Sequence, residues 1–334
     1  MKIIVPMAGM GTRMRPHTLT IPKPLIPLAG KTIVQRLVED ITKVCNEKVD
    51  EIAFIIGDFG NQVEQDLIAI ADSLGAKGTI HYQTEKLGTA HAILCAAPAL
   101  VGNVVVAFAD TLFKADFKLD SSQDGIIWTS KVDDPSVFGV VKLNDAGVVE
   151  AFVEKPETFV SDKAIIGIYY FKDGAYLRNE LQYLIDNDIR IKGGEFGLTD
   201  ALENMNKNGT KFKIDTVTEW LDCGNKDATV YTNQRVLANV GHYVSENVKV
   251  ENSTITEPCY IAAGVSLKNA HVGPYVSIGA DSCIENSKVE NSVIQTSSKL
   301  YGAAVQDSML GSHVIFSGKT TNSSIGDYST IIID

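Results

Sequence analysis

A repeat in the last quarter of the chain constrains the fold more than any other sequence feature. Short polar motifs, each ending in an aliphatic residue, recur there, the first three at intervals of 17 residues: 251–255, 268–272, 285–289, 306–310 and 321–325. Between them, valine and isoleucine keep six-residue steps, as at Val272, Ile278 and Ile284. Three six-residue steps make one triangular coil, so a period near 18 with single-residue deletions predicts a parallel β-helix. We expect the aliphatic residues to point inward and small polar residues to turn the corners.

The first 240 residues instead alternate between apolar strands and amphipathic helices. Strands are predicted at 2–5, 51–57, 79–83 and 103–109, and helices at 32–45, 61–74 and 87–97. This alternation favours an open α/β sheet that is mainly parallel and binds ligands at the carboxyl ends of its strands. After residue 124 the pattern predicts a mixed extension of the sheet, with strands at 125–132, 139–143, 148–153, 165–171 and 210–217 and helices at 175–188, 198–208 and 226–238. We therefore predict two domains, residues 1–240 and 244–334.

Composition narrows the class of protein. With 45% hydrophobic and 21% charged residues, the chain has the composition of a soluble globular protein. Its net charge of −11 argues against nucleic acid as a partner. No apolar run is long enough to span a bilayer, and no signal sequence opens the chain, so we expect no membrane partner. The five cysteines are scattered, which favours reduced thiols and a cytoplasmic location.

A glycine- and proline-rich stretch, residues 6–28, follows the first predicted strand. Gly9 and Gly11 allow a tight turn whose backbone N–H groups can face an anion. Arg13 and Lys23 add two cations, and three prolines stiffen the segment that carries Lys23. A glycine turn with fixed cations can hold polyphosphate, although a short glycine loop alone fits an ordinary strand-to-helix turn equally well. The Walker pattern is absent.

The whole stretch from Met7 to Lys31 resembles the signature of the sugar-1-phosphate nucleotidyltransferases, A-G-G-x-G-T-R-[LM]-x-P-x-T-x-x-x-P-K-P-L-x-P-[VL]-x-G-K. Met7 and Ala8 depart from it. The repeat is similar to the left-handed β-helix of long-form members such as the glucose-1-phosphate thymidylyltransferases. The resemblance implies a Rossmann-like mixed sheet followed by that β-helix. It also implies that the nucleotide is bound by the loop residues Ala8, Gly9, Gly11, Thr12 and Arg13.

Further blocks resemble the same family along the chain. Residues 83–92 are similar to Q-x-x-x-L-G-T-A-x-A, which implies that Gln83 and Gly88 read the base and that Thr89 also binds the nucleotide. Residues 134–141 and 153–157 resemble the elements that hold the sugar phosphate, with Lys155 on the phosphate. The sugar-phosphate residues implied in this way are Gly139, Glu154, Lys155, Gly167 and Tyr169.

The implied metal is Mg²⁺, held by two carboxylates. Asp110 follows an apolar strand, and Asp222 lies in a block that resembles W-x-D-x-G-T; Mg²⁺ takes one or two carboxylates together with phosphate oxygens and water. Thr111 stands where many relatives carry Asn or Asp. Gly197 stands where some carry a sugar-contacting Glu, which leaves the identity of the sugar open.

The resemblance implies that an NTP and a sugar 1-phosphate give an NDP-sugar and pyrophosphate. The catalytic residues would be Arg13, Lys23, Asp110, Lys155 and Asp222. We expect glucose 1-phosphate with dTTP or UTP. The alternatives are a uridylyltransferase for an N-acetylhexosamine 1-phosphate and a non-catalytic paralogue that binds sugar nucleotide.

Two expectations concern residues outside this chemistry. Four histidines are expected to be structural: His17, His81, His91 and His242. The β-helix is expected to serve assembly into a homo-oligomer, because every motif that could meet substrate lies before residue 226.

Overall fold

The computed structural model describes residues 1–191 and 193–333 and divides into two compact units that interleave along the chain. Unit 1 comprises Met1–Gly9 and Leu37–Trp220. Unit 2 comprises Met10–Arg36 and the chain from Leu221 onward. Residues 10–36 therefore group with the repeat, although in sequence they lie within the predicted first domain. Among the described residues, no helix is both long and apolar enough to cross a bilayer.

The helices lie close to their predicted positions. They are α1 (Ile33–Val44), α2 (Asn61–Ser73), α3 (Thr89–Leu94), α4 (Gly174–Asp186), α5 (Leu198–Lys207) and α6 (Lys226–Val240). The strands before the repeat are β1 (Lys2–Pro6), β2 (Pro27–Leu28), β3 (Lys31–Thr32), β4 (Glu51–Ile56), β5 (Lys77–Tyr82), β6 (Val104–Ala107), β7 (Thr111–Lys114), β8 (Gly125–Lys131), β9 (Gly139–Leu143), β10 (Val149–Glu154), β11 (Lys163–Phe171), β12 (Phe212–Thr216) and β13 (Glu219–Asp222).

The main differences before the repeat are one shorter helix and four short strands that were not predicted. Helix α3 covers only Thr89–Leu94 of the predicted 87–97. It starts late because Gly88, with φ of 106°, is its N-cap, and Pro98 lies in a separate 3-10 turn, Ala97–Ala99. The strands that were not predicted are β2, β3, β7 and β13. Strand β7 starts directly after Asp110, and β13 ends at Asp222.

Unit 1 is built on a nine-stranded mixed sheet, which confirms the predicted α/β class. Its order is β10-β9-β11-β6-β1-β4-β5, and β8 pairs with both β11 and β12. Strands β6, β1, β4 and β5 are mutually parallel, so their carboxyl ends meet at one rim. Strand β11 runs antiparallel to β6 and begins the mixed part. Because the central strands are buried on both faces, they are continuous apolar runs such as Ile3-Ile4-Val5.

Unit 2 contains the predicted parallel β-helix, built from three sheets of short parallel strands. Its strands are β14 (Tyr243–Val244), β15 (Lys249–Glu251), β16 (Thr254–Ile255), β17 (Cys259–Ile261), β18 (Ser266–Lys268), β19 (His271–Val272), β20 (Val276–Ile278), β21 (Cys283–Glu285), β22 (Lys288–Glu290), β23 (Val293–Ile294), β24 (Lys299–Tyr301), β25 (Ala304–Gln306), β26 (Met309–Leu310), β27 (Ile315–Ser317), β28 (Lys319–Thr321), β29 (Ser324–Ile325) and β30 (Thr330–Ile332).

Strand register explains the irregular repeat length. Partners in neighbouring coils are 17 residues apart at Cys259↔Val276, 16 apart at Val293↔Met309 and 15 apart at Met309↔Ser324. Deletions at the corners leave the inward ladders intact. One such ladder is buried from Ile261 onward: Ile261, Ile278, Ile294, Leu310 and Ile325.

The corners of the β-helix use left-handed backbone conformations. At one corner Asn252, Asn269 and Asn286 all have positive φ, and their side-chain amides form a ladder with steps of 2.9 and 3.0 Å. Asparagine tolerates this conformation, so small polar corners were predicted correctly here. At other corners the prediction is wrong, because His313 and Tyr328 also have positive φ. Their rings stack with centroids 4.7 Å apart, which gives these larger side chains a packing partner.

Candidate active site

Predicted site residues of unit 1 gather at the carboxyl rim of the parallel strands. Met7 follows β1 and donates its N–H to the Ile55 carbonyl at 2.8 Å, and Gln83 follows β5 and donates its N–H to the Ile56 carbonyl at 2.9 Å. The half-buried Asp110 lies three residues beyond β6. A side chain at Gly9 would meet no atom within 4 Å, so the backbone there faces open space. The rim thus presents backbone, amide and carboxylate groups together.

The amide of Gln83 is held in one orientation. Its Nε2 donates to the Gly88 carbonyl at 3.1 Å and lies 3.2 Å from His91 Nδ1. An amide nitrogen can only donate, so His91 Nδ1 accepts and its proton is on Nε2. The Oε1 of Gln83 is thereby turned away from these two partners.

Gly88 packs against the backbone of the segment before α5. A Cβ at this position would lie 2.5 Å from the Phe196 carbonyl oxygen, and φ is 106°. Two backbone hydrogen bonds fix the approach: Phe196 N–H donates to the Leu87 carbonyl at 2.7 Å, and Ala90 N–H donates to the Phe196 carbonyl at 3.0 Å. Only glycine fits here without rearrangement, whatever ligand the loop binds.

The sugar-phosphate residues Gly139, Glu154 and Lys155 lie together at one end of the β9–β10 pair. Gly139 and Glu154 are register partners, and a Cβ at Gly139 would lie 2.9 Å from Glu154 Oε2. Lys155 has φ of 44°, an uncommon conformation for a residue with a side chain, and its N–H donates to the Phe138 carbonyl at 3.0 Å. Its Nζ lies 3.9 Å from Glu154 Oε1. A strained backbone at a charged residue is typical of a functional site.

Gly167 and Tyr169 join this cluster from β11. The pairing of β11 with β8 shifts register between Ile165 and Tyr169, and Gly167 lies in this irregularity with φ of 83°. The Tyr169 ring contacts Phe108 edge-on, with centroids 6.3 Å apart. Burial raises the pKa of Tyr169 above its usual range, and the negative charge of Glu154 acts in the same direction. The phenol therefore stays protonated and can donate a hydrogen bond.

Thr111, which replaces the Asn or Asp of many relatives, has a structural partner. Its Oγ1 accepts a 2.8 Å hydrogen bond from Trp220 Nε1. The Trp220 ring in turn contacts Phe138 edge-on at 5.0 Å. The residue after Asp110 thus anchors the tryptophan of the W-x-D block.

In unit 2, the signature loop (Met10–Thr32) folds around Gly11. This glycine is left-handed, with φ of 56°, and Thr18 Oγ1 donates to its carbonyl at 2.8 Å. A Cβ at Gly11 would lie 3.0 Å from both Thr18 Cγ2 and Lys23 Cβ. The turn therefore brings the stem of Lys23 directly against the glycine.

Arg13 and Asp222 meet across Gly224 in the same unit. A Cβ at Gly224 would lie 2.9 Å from Asp222 Oδ1 and 3.2 Å from an Arg13 guanidinium nitrogen. Gly224 N–H donates to Asp222 Oδ1 at 2.9 Å, and Thr232 Oγ1 donates to the Asp222 carbonyl at 2.8 Å. The predicted leaving-group cation and one predicted metal ligand are thus adjacent.

Comparison with known proteins decides the family. A sequence profile described as nucleotidyl transferase matches residues 2–239. The chain belongs to this family. It is 28% identical over 341 residues to a glucose-1-phosphate thymidylyltransferase of Streptomyces griseus, covering 94% of this chain and 93% of the relative. It is 31% identical over 348 residues to a low-salt glycan biosynthesis nucleotidyltransferase of Haloferax volcanii, covering 93% and 92%.

A solved structure supports the fold of this nucleotidyl transferase. A crystal structure assigned as a glucose-1-phosphate thymidylyltransferase from Bacillus anthracis matches with a TM-score of 0.59 and 22% identity. The match covers 73% of this chain and 97% of that one. Together with the two sheet systems described above, it confirms a Rossmann-like mixed sheet followed by a β-helix.

Sequence analysis of this nucleotidyl transferase missed the residues that hold its site residues in place. His91 orients Gln83, Thr18 fixes Gly11, and Gly224 separates Arg13 from Asp222. His91 was expected to be structural, and its contact with Gln83 makes it a positioning residue as well. The G-T-A-H spacing places His91 one helical turn after Gly88, which is the signal that could have identified it.

Proposed function

We propose that this protein transfers a nucleotidyl group from an NTP to a sugar 1-phosphate and releases pyrophosphate. A phosphate oxygen of the sugar 1-phosphate attacks the α-phosphorus, and the bond from that phosphorus to the bridging oxygen of the leaving pyrophosphate breaks. The observation that carries the proposal is the arrangement of the signature loop, in which left-handed Gly11 holds Lys23 while Arg13 lies beside Asp222. Such a reaction needs alignment and charge neutralisation more than covalent participation of the protein.

Each side chain then has a definite task. The guanidinium of Arg13 stabilises the charge that builds on the leaving pyrophosphate, and Lys23 bridges phosphate oxygens. Lys155 holds the phosphate of the nucleophile, while Glu154 accepts hydrogen bonds from sugar hydroxyls. Gln83, oriented by His91, offers its amide to the base. The protonated Tyr169 lines the part of the cluster that binds the sugar.

We also propose Mg²⁺ as the metal, held by Asp110 and Asp222. The described residues contain no group of three or more His, Cys, Asp or Glu that could hold a metal ion. Mg²⁺ keeps several waters and needs only one or two protein carboxylates when substrate phosphates complete its shell. The ion would neutralise phosphate charge during the transfer.

For the substrates, we propose glucose 1-phosphate with dTTP or UTP. The Streptomyces griseus and Streptomyces antibioticus relatives, which are 28% and 29% identical, are both named glucose-1-phosphate thymidylyltransferases. One methyl group separates thymine from uracil, a difference worth about 1–3 kcal/mol in a hydrophobic pocket. We further propose that the protein acts in the cytoplasm as a homo-oligomer assembled through the β-helix.

A pyrophosphate-release assay tests the function. The four common NTPs and dTTP are each combined with glucose 1-phosphate and with two N-acetylhexosamine 1-phosphates, with and without Mg²⁺. The proposal expects Mg²⁺-dependent release that requires both substrates and is largest with dTTP or UTP and glucose 1-phosphate. Preference for an N-acetylhexosamine phosphate with UTP would favour the uridylyltransferase alternative. Binding without release would favour the non-catalytic one.

A further inference from the structure

The middle of one face of the β-helix is covered. Sheet β14-β17-β20-β23-β26-β29 presents an outer column of residues that alternates with the buried ladder described above: Tyr243, Tyr260, Ser277, Val293, Met309 and Ser324. Although the column points away from the β-helix core, Ser277, Val293 and Met309 are only 5%, 2% and 0% exposed. Other parts of unit 2 must therefore cover it.

Helix α6 covers the middle of this column. Asn233 is fully buried, and its Oδ1 accepts a 2.7 Å hydrogen bond from Ser277 Oγ. At the start of the helix, Lys226 Nζ donates to the Asp307 carbonyl at 3.2 Å and also contacts Asn322 Oδ1. The same helix contacts the signature loop, because Thr229 Oγ1 lies 3.5 Å from Met14 Sδ.

The signature loop contacts the column directly at two positions, Tyr260 near one end and Ser324 at the other. At one end the β2–β3 turn is so close to Tyr260 that a Cβ on Gly30 would lie 2.4 Å from the ring. At the other end, fully buried His17 has its Nε2 3.1 Å from Ser324 Oγ. Thr20 Oγ1 donates to Asp327 Oδ2 at 2.7 Å.

Gly326 shows how closely the loop fits. A Cβ there would lie 2.8 Å from Pro16 Cβ and 3.0 Å from Pro16 Cγ. The equivalent corner position is Ala262 or Gln295 in two earlier coils. In two others it is Gly279 or Gly311, where a Cβ would meet backbone atoms of the following coil. In the last coil (residues 319–332, β28–β30) the nearest atoms to that Cβ belong to Pro16.

From these contacts we infer that the last coil of the β-helix positions the signature loop for catalysis, through Ser324, Gly326 and Asp327. The β-helix then has a role in turnover in addition to any role in assembly. These three are positioning residues, since none of them is expected to touch substrate. The kinetic part of the inference rests on the proposed nucleotidyl transfer, whereas the structural coupling does not.

The loop itself explains why outside support matters. Its regular structure consists of three 3-10 turns of three residues each and the two-residue strands β2 and β3. Such short elements form few internal hydrogen bonds, so contacts with α6 and the β-helix must fix the positions of Arg13 and Lys23. A displacement of about 1 Å in a positioned group can lower a rate by roughly 10²-fold.

Gly326→Ala tests the inference sterically, because the added methyl group must displace Pro16. We expect faster amide hydrogen exchange at Met14 and Leu19 and a fall in kcat/KM of roughly 10²-fold, with no change in particle mass by light scattering. Thr330→Ala is the matched control, since Thr330 is an exposed residue of the same coil. It should leave exchange in the loop and turnover unchanged.

A second pair of variants tests the same contact region without introducing a steric clash. Ser324→Ala removes the hydroxyl that contacts His17 from an exposed position, and Ser324→Thr restores a hydroxyl there. The alanine variant should show faster loop exchange and lower kcat, and the threonine variant should recover both. If Gly326→Ala and Ser324→Ala both fold and retain wild-type loop exchange and kcat/KM, the inference is wrong. If wild-type protein shows no transfer but loop exchange responds as expected, the proposed function fails and the coupling between coil and loop stands.

Discussion

The buried His17 makes the stability of unit 2 depend on pH. Burial lowers the pKa of this imidazole from 6.5 to about 4, the positive charge of Lys226 acts in the same direction, and the negative charge of Asp327 opposes both. Its Nδ1 has no hydrogen-bond partner in the described structure, so no acceptor on that side would stabilise a proton. Folding therefore favours the neutral ring.

The sign and the size of the effect follow from linkage. Because the folded pKa lies below the unfolded one, the unfolded chain binds the proton more tightly. The stabilisation is complete above about pH 6.5 and is lost as the pH falls from 6.5 toward 4. A shift of this size corresponds to about 3 kcal/mol in total, of which about 2 kcal/mol is lost between pH 7 and pH 5.

Urea unfolding of the wild type and of His17→Gln at pH 7 and pH 5 measures the effect. Glutamine stays neutral at both values, so the variant should lose about 2 kcal/mol less free energy of unfolding than the wild type over this interval. His313→Gln is the control, since His313 is an exposed histidine of the same β-helix. An equal loss in the wild type and in His17→Gln would refute the reasoning, as would a His17 ring that titrates near 6.5 by NMR.

Three further predictions concern the candidate site. Asp110→Asn should lower kcat by on the order of 10²-fold or more, because it removes a charge that holds the metal; wild-type turnover in steady-state assays would exclude Asp110 from the site. Arg13→Ala should lower kcat and kcat/KM together, and Lys should replace Arg poorly; an effect on the KM for NTP alone would mean that Arg13 only anchors the triphosphate. Gly88→Ala should lower the melting temperature more than Gly60→Ala, since both glycines are helix N-caps with positive φ but only a Cβ at position 88 meets backbone atoms. Equal melting temperatures of the two variants would show that the Phe196 backbone moves aside at little cost.

The parts of the fold that the sequence predicts are those set by local periodicity. Buried parallel strands are short apolar runs, so β4 was predicted almost to the residue. The β-helix was predictable because each coil repeats the same inward position, and losing one corner residue shifts the spacing without disturbing the ladder. Helix α3 was predicted too long because its start is set by Phe196, a residue about a hundred positions away that the local pattern cannot reveal.

Site residues were predictable as motifs, whereas the contacts that position them were not. His17 and Ser324 are separated by 307 residues, and neither belongs to a pattern that points to the other. The role of Thr111 was also hidden, because its hydrogen bond to Trp220 joins two strands that the apolar pattern did not predict. Such polar contacts depend on the folded backbone and leave no periodic trace in the sequence.

The division of the chain into units bears on what the β-helix contributes. Residues 10–36 carry Gly11, Arg13 and Lys23, yet they group with the β-helix, whereas the carboxyl rim of the parallel strands belongs to the other unit. A loop of short turns has little stability of its own, so its geometry follows the surface against which it packs. In this chain that surface is α6 and the outer column of the β-helix. Substitutions on that column should therefore change turnover through the loop even though the column contains no substrate-binding motif.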